Sequence, residues 1–246
     1  MQTQFTHIMQ AFIPAAGLGS RLKPLTDHRP KALVEVRGIP LIKIAIDNLA
    51  NLGVRKIVVN VHHFADLLTQ YLHENHWDAE VLISDERSQL LDTGGGLKKA
   101  AQFFNPDEPI IIHNVDVLTH FNLLNLIKQH TSSMNLATLA VSHRDTSRAL
   151  LFDKQQQLVG WHDAKTNESL WVDHSVDDYT SLAFSGIALL KPHLLDLLPP
   201  ANHPFPIIPA YLQIAKSHRI SYFLHNTEDW LDVGKPETLQ LAQTWY

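Results

Sequence analysis

Residues 12–36 read FIPAAGLGSRLKPLTDHRPKALVEV. Their glycines and basic residues have the types and spacing to hold an anion. Gly17 and Gly19 allow the backbone to come close to a ligand and present N–H groups to it. Arg21 adds a planar fork of donors suited to phosphate oxygens, and Lys31 adds a compact charge from a second direction. Two basic groups on one glycine-rich loop suit a polyphosphate. Two familiar phosphate loops do not fit. The dinucleotide pattern G-x-G-x-x-G needs glycine where Leu22 stands. The pattern G-x-x-x-x-G-K-[ST] is absent, since Gly234-Lys235 is followed by Pro236. Taken alone, the segment also reads as a strand-to-helix turn with surface basic residues.

Other residues invite chemistry less directly. Asp116 ends an apolar run and Asp232 follows Trp230 near the other end of the chain, so only folding could bring the two carboxylates together. By themselves they read as a helix N-cap and a turn residue. Gly94, Gly95 and Gly96 precede a helical pattern whose first amides would be free. The sixteen histidines are scattered, and His62-His63 is the one adjacent pair. None forms HExxH, so packed or solvated imidazoles are expected there.

These residues need a scaffold. The apolar runs at 9–16, 56–61, 79–84 and 109–119 read as buried strands. They alternate with helical patterns at 41–53, ended by Gly53, and at 64–75. Leu97, Ala100, Ala101 and Phe104 recur at helical spacing directly after the three glycines. This alternation predicts an α/β fold, a Rossmann-like three-layer α/β/α arrangement around a mixed, mainly parallel sheet. From about residue 136 the segments NLATLAVS, RALLFD, QLVGWHD, SLWVD and SLAFSGIALL suggest an antiparallel addition, followed by helices at 205–218 and 236–246 with a strand at 219–225 between them. With no linker or repeat, residues 1–246 read as a single domain, about 8–135 forming one half and about 136–246 the other. The open end of such a sheet, past the carboxyl ends of its strands, is where ligands gather.

Composition narrows the class. The chain has 246 residues, 45% of them hydrophobic, and no cysteine, which excludes disulfides and thiolate metal sites. A net charge of −5 argues against a nucleic-acid surface but not against a local basic pocket. The N-terminus MQTQFTHIMQ lacks a basic region leading into an apolar one. No apolar run approaches the roughly 18 residues of a membrane span. A soluble cytoplasmic protein with no membrane or nucleic-acid partner is expected; oligomeric state is not readable.

The stretch AAGLGSRLKPLTDHRPKALVEVRGIPLI closely resembles the signature of the sugar-1-phosphate nucleotidyltransferases: Gly-x-Gly-x-Arg-x-x-Pro-Leu-Thr, then Pro-Lys, an apolar strand and Pro-Leu. DTGGGL (92–97), NVDVLT (114–119), FSGIALLKP (184–192) and WLDVGKPETL (230–239) resemble further motifs of that family, so the similarity spans most of the chain. It implies transfer of a nucleotidyl group from a nucleoside triphosphate to a sugar 1-phosphate with release of pyrophosphate. By the same resemblance, Arg21 and Lys31 are the catalytic residues. Arg21 holds the triphosphate and the leaving pyrophosphate, and Lys31 meets the α-phosphate and the incoming sugar phosphate. Asp116 and Asp232 hold one Mg²⁺. Ala15, Ala16, Gly17, Gly19, Gly94, Gly95 and Asn114 line the nucleotide, and Ser185 and Gly186 touch the sugar phosphate.

Within the family, the Thr-Gly-Gly-Gly segment, the length and Phe-Ser-Gly-Ile are most similar to the branch that uridylylates N-acetylmuramate 1-phosphate in peptidoglycan recycling, so UTP is the favoured triphosphate. Enzymes for mannose, glucose or heptose 1-phosphate are the alternative, and phosphocholine cytidylyltransferases share the signature. A non-catalytic nucleotide-binding subunit is the alternative of another class, but such proteins tend to lose the aspartates or the loop arginine, which are kept here. Val115 stands where the family has glycine and Lys235 where it has threonine. The Val-Glu-Lys-Pro motif that grips the sugar is missing, with Lys165 or Asp163 the nearby substitutes. Relatives with β-helix extensions continue further, so a stand-alone catalytic domain is expected.

Overall fold

The computed structural model describes residues 9–173 and 176–246; residues 1–8, read above as lacking a leader pattern, lie outside it. Its first half comprises β1 (Met9–Ile13), β2 (Glu35–Val36), β3 (Ile39–Pro40), α1 (Leu41–Asn51), β4 (Val54–Val61), α2 (Ala65–Glu74), β5 (Glu80–Asp85), α3 (Asp92–Ala100), β6 (Ile110–His113), β7 (Val117–Thr119) and α4 (Leu123–Thr131). The second half adds β8 (Ala137–Ser142), β9 (Arg148–Phe152), β10 (Leu158–Asp163), β11 (Glu168–Trp171), β12 (Thr180–Leu190), α5 (Leu194–Leu197), α6 (Ile207–Ala215), β13 (Ile220–Leu224), β14 (Trp230–Asp232) and α7 (Pro236–Trp245).

A ten-stranded sheet runs in the order β11-β10-β9-β12-β6-β1-β4-β5, with β8 beside β12 and β13 beside β8. The strands β6, β1, β4 and β5 are parallel, whereas β12 enters antiparallel to β6, β8 and β9. Alternation along the parallel strands sorts their side chains into two apolar layers. Ala11, Ile13, Val59 and Ile111 pack with Leu41, Ile42, Leu68, Leu126 and Leu239 of α1, α2, α4 and α7. Phe12, Val58, Ile110 and Ile112 pack with Leu97, Ala210 and Tyr211 of α3 and α6 on the opposite face. This is the three-layer α/β/α architecture that the alternation predicts.

Two local readings change. The run 109–119 is not one strand. After His113 the Asn114 N–H donates to the Gly186 carbonyl, and the Val117 N–H donates to Asn114 in a turn. The chain then leaves the main sheet, and β7 pairs antiparallel with β14. An apolar run carries no mark of such a break. The second change concerns α3, which begins at Asp92 and contains all three glycines. Helix α4 is an element beyond the alternation read from sequence: Leu123, Leu126, Ile127 and His130 lie buried at helical spacing behind an Asn122 cap whose side chain accepts the Leu124 N–H.

Candidate active site

The carboxyl ends of β1 and β6 open into a cavity of about 600 Å³, lined by Ala15, Ala16, Gly17, Lys31, Asn60, Asp92, Thr93, Asn114, Val115 and Asp116 among others. Strand β1 lies between β4 and β6, so the connections leave it in both directions at this point. Gly17 faces open space, and among the described residues the N–H groups of Gly17 and Leu18 have no intramolecular acceptor. Gly19 has a different task. Its φ of 65° is left-handed, and a Cβ there would lie 2.9 Å from Thr26 Cγ2 and 3.1 Å from Lys31 Cβ. The buried Thr26 hydroxyl donates to the Gly19 carbonyl, which draws the loop back over Lys31.

Behind this loop lies a buried polar network. Asn60 Oδ1 accepts the Ala15 and Ala16 N–H groups at 2.6 and 3.2 Å, and Asn60 Nδ2 donates to Glu86 Oε1 at 2.8 Å. Glu86 Oε2 accepts the Leu91 N–H. Burial raises the Glu86 pKa, offset in part by its Asn60 and Leu91 hydrogen bonds. Ala15 and Ala16 therefore line the cavity with their amides already engaged. Asn60 and Glu86 fix that wall, yet sequence reading passed over both. A buried asparagine at the end of a strand is their only signal.

The two aspartates meet through backbone pairing. Asp232 is opposite Val117 in the β14–β7 ladder, and the Val233 N–H donates to the Asp116 carbonyl at 2.8 Å. Lys31 Nζ donates to Asp116 Oδ2, and both side chains are largely shielded from solvent. Arg21, exposed on its own loop, reaches the same place. A Cβ on Gly234 would lie 2.5 Å from Asp232 Oδ1 and 2.8 Å from Arg21 Nη2, so only glycine admits both groups. Asp232 Oδ1 is buried without a hydrogen-bond donor. Burial, and then the neighbouring Asp116 charge, raise the Asp232 pKa, while Lys31, Arg21 and the Gly234 amide act in the opposite direction. An unsatisfied buried carboxylate oxygen beside a second carboxylate suits a hard divalent cation that keeps waters and phosphates as its other ligands. Among the described residues no cluster of three or more His, Asp or Glu side chains could hold a metal.

A second cavity, of about 570 Å³, reaches Asp232 from the other half of the chain. Arg144, Arg148, Trp161, Leu170, Phe184 and Ile208 are among its walls. Lys31 and Asp116, which line the first cavity, and Asp232, which lines the second, thus stand between two recesses.

The pattern of the nucleotidyl transferase family matches residues 10–152, more than half of the chain and the part that carries Arg21, Lys31 and Asp116. The chain is a nucleotidyl transferase. The N-acetylmuramate alpha-1-phosphate uridylyltransferase of Caulobacter vibrioides is 30% identical over 240 residues, covering 95% of each chain. The mannose-1-phosphate guanyltransferase of Pichia angusta is 29% identical over 232 residues, which are 93% of this chain and 62% of that protein. The HddC protein of Yersinia pseudotuberculosis, solved in complex with GMP-PN, superposes with a TM-score of 0.73 at 20% identity over 96% of this chain and 98% of its own, a likeness of fold.

Several residues of the transferase do not stand where the sequence placed them. Gly94 and Gly95 do not line the first cavity, and Asp92 and Thr93 do. The Gly94 and Gly95 N–H groups donate to the Phe205 carbonyl at 3.0 and 3.2 Å, so they are not free for a ligand. The glycines are there for packing: a Cβ on Gly94 would lie 2.4 Å from the Phe205 ring, and one on Gly96 2.7 Å from Glu86 Oε1. Gly94→Ala should destabilise the protein by about 1–3 kcal/mol through overpacking, read as a lower urea midpoint; an unchanged midpoint would remove this role. Ser185 is fully buried and does not line the second cavity. Gly186 occupies a register shift in β12 at φ 73°, where a Cβ would strike Asn114 Nδ2 at 2.7 Å. Val115 is buried and fills part of the wall of the first cavity. Lys235 is exposed at the N-cap of α7, its N–H donating to Thr238.

No helix among the described residues is long and apolar enough to cross a membrane.

Proposed function

We propose that the enzyme catalyses Mg²⁺-dependent transfer of a uridylyl group from UTP to N-acetylmuramate 1-phosphate, giving the UDP-sugar and pyrophosphate. The reaction would serve peptidoglycan recycling in the cytoplasm, the compartment that supplies nucleoside triphosphates. The observation that carries this reading is the meeting of Arg21, Lys31, Asp116 and Asp232 between two cavities of a size for a nucleotide and a sugar. The choice of UTP and acceptor is supported by the likeness to the Caulobacter uridylyltransferase over 95% of both chains.

The chemistry asks little acid–base work of the protein. A phosphate monoester has its second pKa at about 6, so the attacking oxygen is already ionised near neutrality. It displaces pyrophosphate from the α-phosphorus in line, and the nucleotidyl bond forms as the α–β bond breaks. Two anions must be brought together and the departing charge held, so positioning and electrostatics supply the rate. The Gly17–Gly19 backbone and Arg21 are suited to the β,γ end of the triphosphate. Lys31 stands at the junction where both phosphates converge. Asp116 and Asp232 would hold Mg²⁺, which when bound neutralises phosphate charge and templates the two substrates.

The test is a matrix of the four nucleoside triphosphates against N-acetylmuramate, N-acetylglucosamine, mannose, glucose and heptose 1-phosphates, read by pyrophosphate release. UTP with N-acetylmuramate 1-phosphate should give the highest kcat/KM. Preference for GTP and mannose 1-phosphate would favour the second reading, which rests on the Pichia relative. Release with no pair would end the proposal.

A further inference from the structure

Among the described residues the second cavity has no lysine in its lining. Lys165 is exposed in the turn between β10 and β11. Asp163 is committed elsewhere: its Oδ1 accepts the Lys165 N–H, and its Oδ2 pairs with Arg148. Arg148 is itself largely exposed and partnered by that carboxylate. One cation of the cavity is built differently. Arg144, just past the end of β8, is largely buried and lies with its guanidinium over the Trp230 ring, 3.9 Å from the centroid.

Its mount is a directed hydrogen-bond chain. Arg144 Nη1 donates to Ser142 Oγ, the Ala183 carbonyl and Ser185 Oγ, and Nη2 donates to the Phe184 carbonyl at 2.5 Å. His225 Nδ1 lies 2.8 Å from the Asn226 carbonyl and must donate to it, which leaves Nε2 as an acceptor. The Ser185 hydroxyl, 2.8 Å away, then donates to His225 and accepts from Arg144. Trp230 Nε1 donates to the Ser185 carbonyl at 2.7 Å, which ties the stacking ring to the same residue. Burial lowers the His225 pKa, as does the nearby Arg144 charge, so the neutral imidazole this chain requires is the favoured form. Ser185, expected to touch the sugar phosphate, thus acts one step behind it.

The arrangement leaves a charge with no carboxylate in direct contact, Asp232 acting on it only from a distance. Among the described residues no carboxylate forms an ion pair with Arg144, and its hydrogen bonds all leave from Nη1 and Nη2, with none from Nε–H. Burial lowers its pKa to about 10, with nearby Asp232 opposing the shift. A desolvated guanidinium held by neutral acceptors is costly unless something else neutralises it. Asp232 and Arg144 line the same cavity.

We propose that Arg144 is the acceptor-binding cation of this enzyme, its free donors receiving an oxyanion of the sugar 1-phosphate. The inference rests on the proposed sugar-phosphate acceptor. The oxyanion has two sources: the phosphate that attacks, or a carboxylate carried on the sugar ring as in N-acetylmuramate. Position beside Asp232 favours the phosphate.

The experiment measures KM for UTP and for each acceptor in Arg144→Gln and Arg144→Lys, alongside calorimetric binding of N-acetylglucosamine 1-phosphate to the wild-type enzyme. Arg144→Gln should raise the acceptor KM at least tenfold and leave the UTP KM within twofold. Arg144→Lys keeps the charge but loses the fork, and should raise it at least threefold. An equal rise for N-acetylmuramate and N-acetylglucosamine 1-phosphates identifies the phosphate, and a rise for the former alone identifies the carboxylate. Unchanged acceptor KM in either variant overturns the proposal, as does an equal rise for UTP. If Arg144→Gln does not fold, Arg144→Lys decides. If the wild type binds the sugar phosphate without turnover, the proposed activity fails, and the Arg144 assignment is judged by loss of that binding in the variants.

Discussion

Asp232→Asn should lower kcat by roughly a thousandfold or more and at the same time raise the melting temperature of the metal-free protein. The first effect follows from the loss of one of two carboxylates suited to Mg²⁺, whose charge stabilisation contributes several kcal/mol at about 1.36 kcal/mol per decade of rate. The second follows from the aspartate's surroundings. Burial, reinforced by the Asp116 charge, holds its pKa above the ordinary carboxylate value. The folded state therefore binds this proton more tightly than the unfolded chain does. The folded state is favoured most where both forms are protonated, and that advantage is lost as pH rises from the ordinary carboxylate value through the raised one. Near neutrality the ionised side chain works against folding, with Oδ1 buried and undonated. Asparagine keeps the shape and removes the charge. Melting curves at pH 7 in a chelator, then with added Mg²⁺, check both parts. Mg²⁺ should stabilise the wild type by mass action and leave the variant unmoved. Wild-type turnover in the variant, or an equal response to Mg²⁺, would remove Asp232 from the metal site.

That trade between stability and site explains what the sequence could and could not disclose. The layers were legible because apolar periodicity is a burial signal: Ala11, Ile13 and Phe12 separate onto opposite faces as alternation requires. Arg21, Lys31, Asp116 and Asp232 were legible through ordered motifs, and the structure gathers them around Lys31–Asp116 and Gly234. The glycines misled. Glycine in a motif signals that a backbone comes close to something, without saying whether that is ligand or protein. At Gly17 it is open space, whereas at Gly94 it is the Phe205 ring and at Gly186 it is Asn114. Asn60, Glu86 and Arg144 were illegible for another reason. Their importance lies in partners remote in sequence, such as Asn60 with Ala15 or Arg144 with Ser185 and Trp230. Spacing along the chain contains no trace of such pairs.

Lys31→Ala should lower kcat by about two to three orders of magnitude, the usual effect of removing one preorganised donor from developing charge. Lys31 donates to Asp116 Oδ2 at the edge of the first cavity. The ion pair holds it in place, and the loop that carries it is drawn tight by Gly19 and Thr26. Removing it also leaves Asp116 unpaired beside Asp232, two like charges in a half-buried place. The variant should be less stable without metal, and Mg²⁺ should raise its melting temperature more than it raises that of the wild type, because the cation then relieves repulsion that Lys31 had offset. Lys31→Arg should recover the ion pair and little of the turnover, since a planar fork does not reproduce a point charge at that distance. The two readouts moving in opposite directions, turnover down and Mg²⁺ stabilisation up, separate a lysine that handles phosphate from one that only neutralises Asp116. If Lys31→Ala keeps wild-type kcat, the residue is a counter-ion alone and its place in the transfer step is lost.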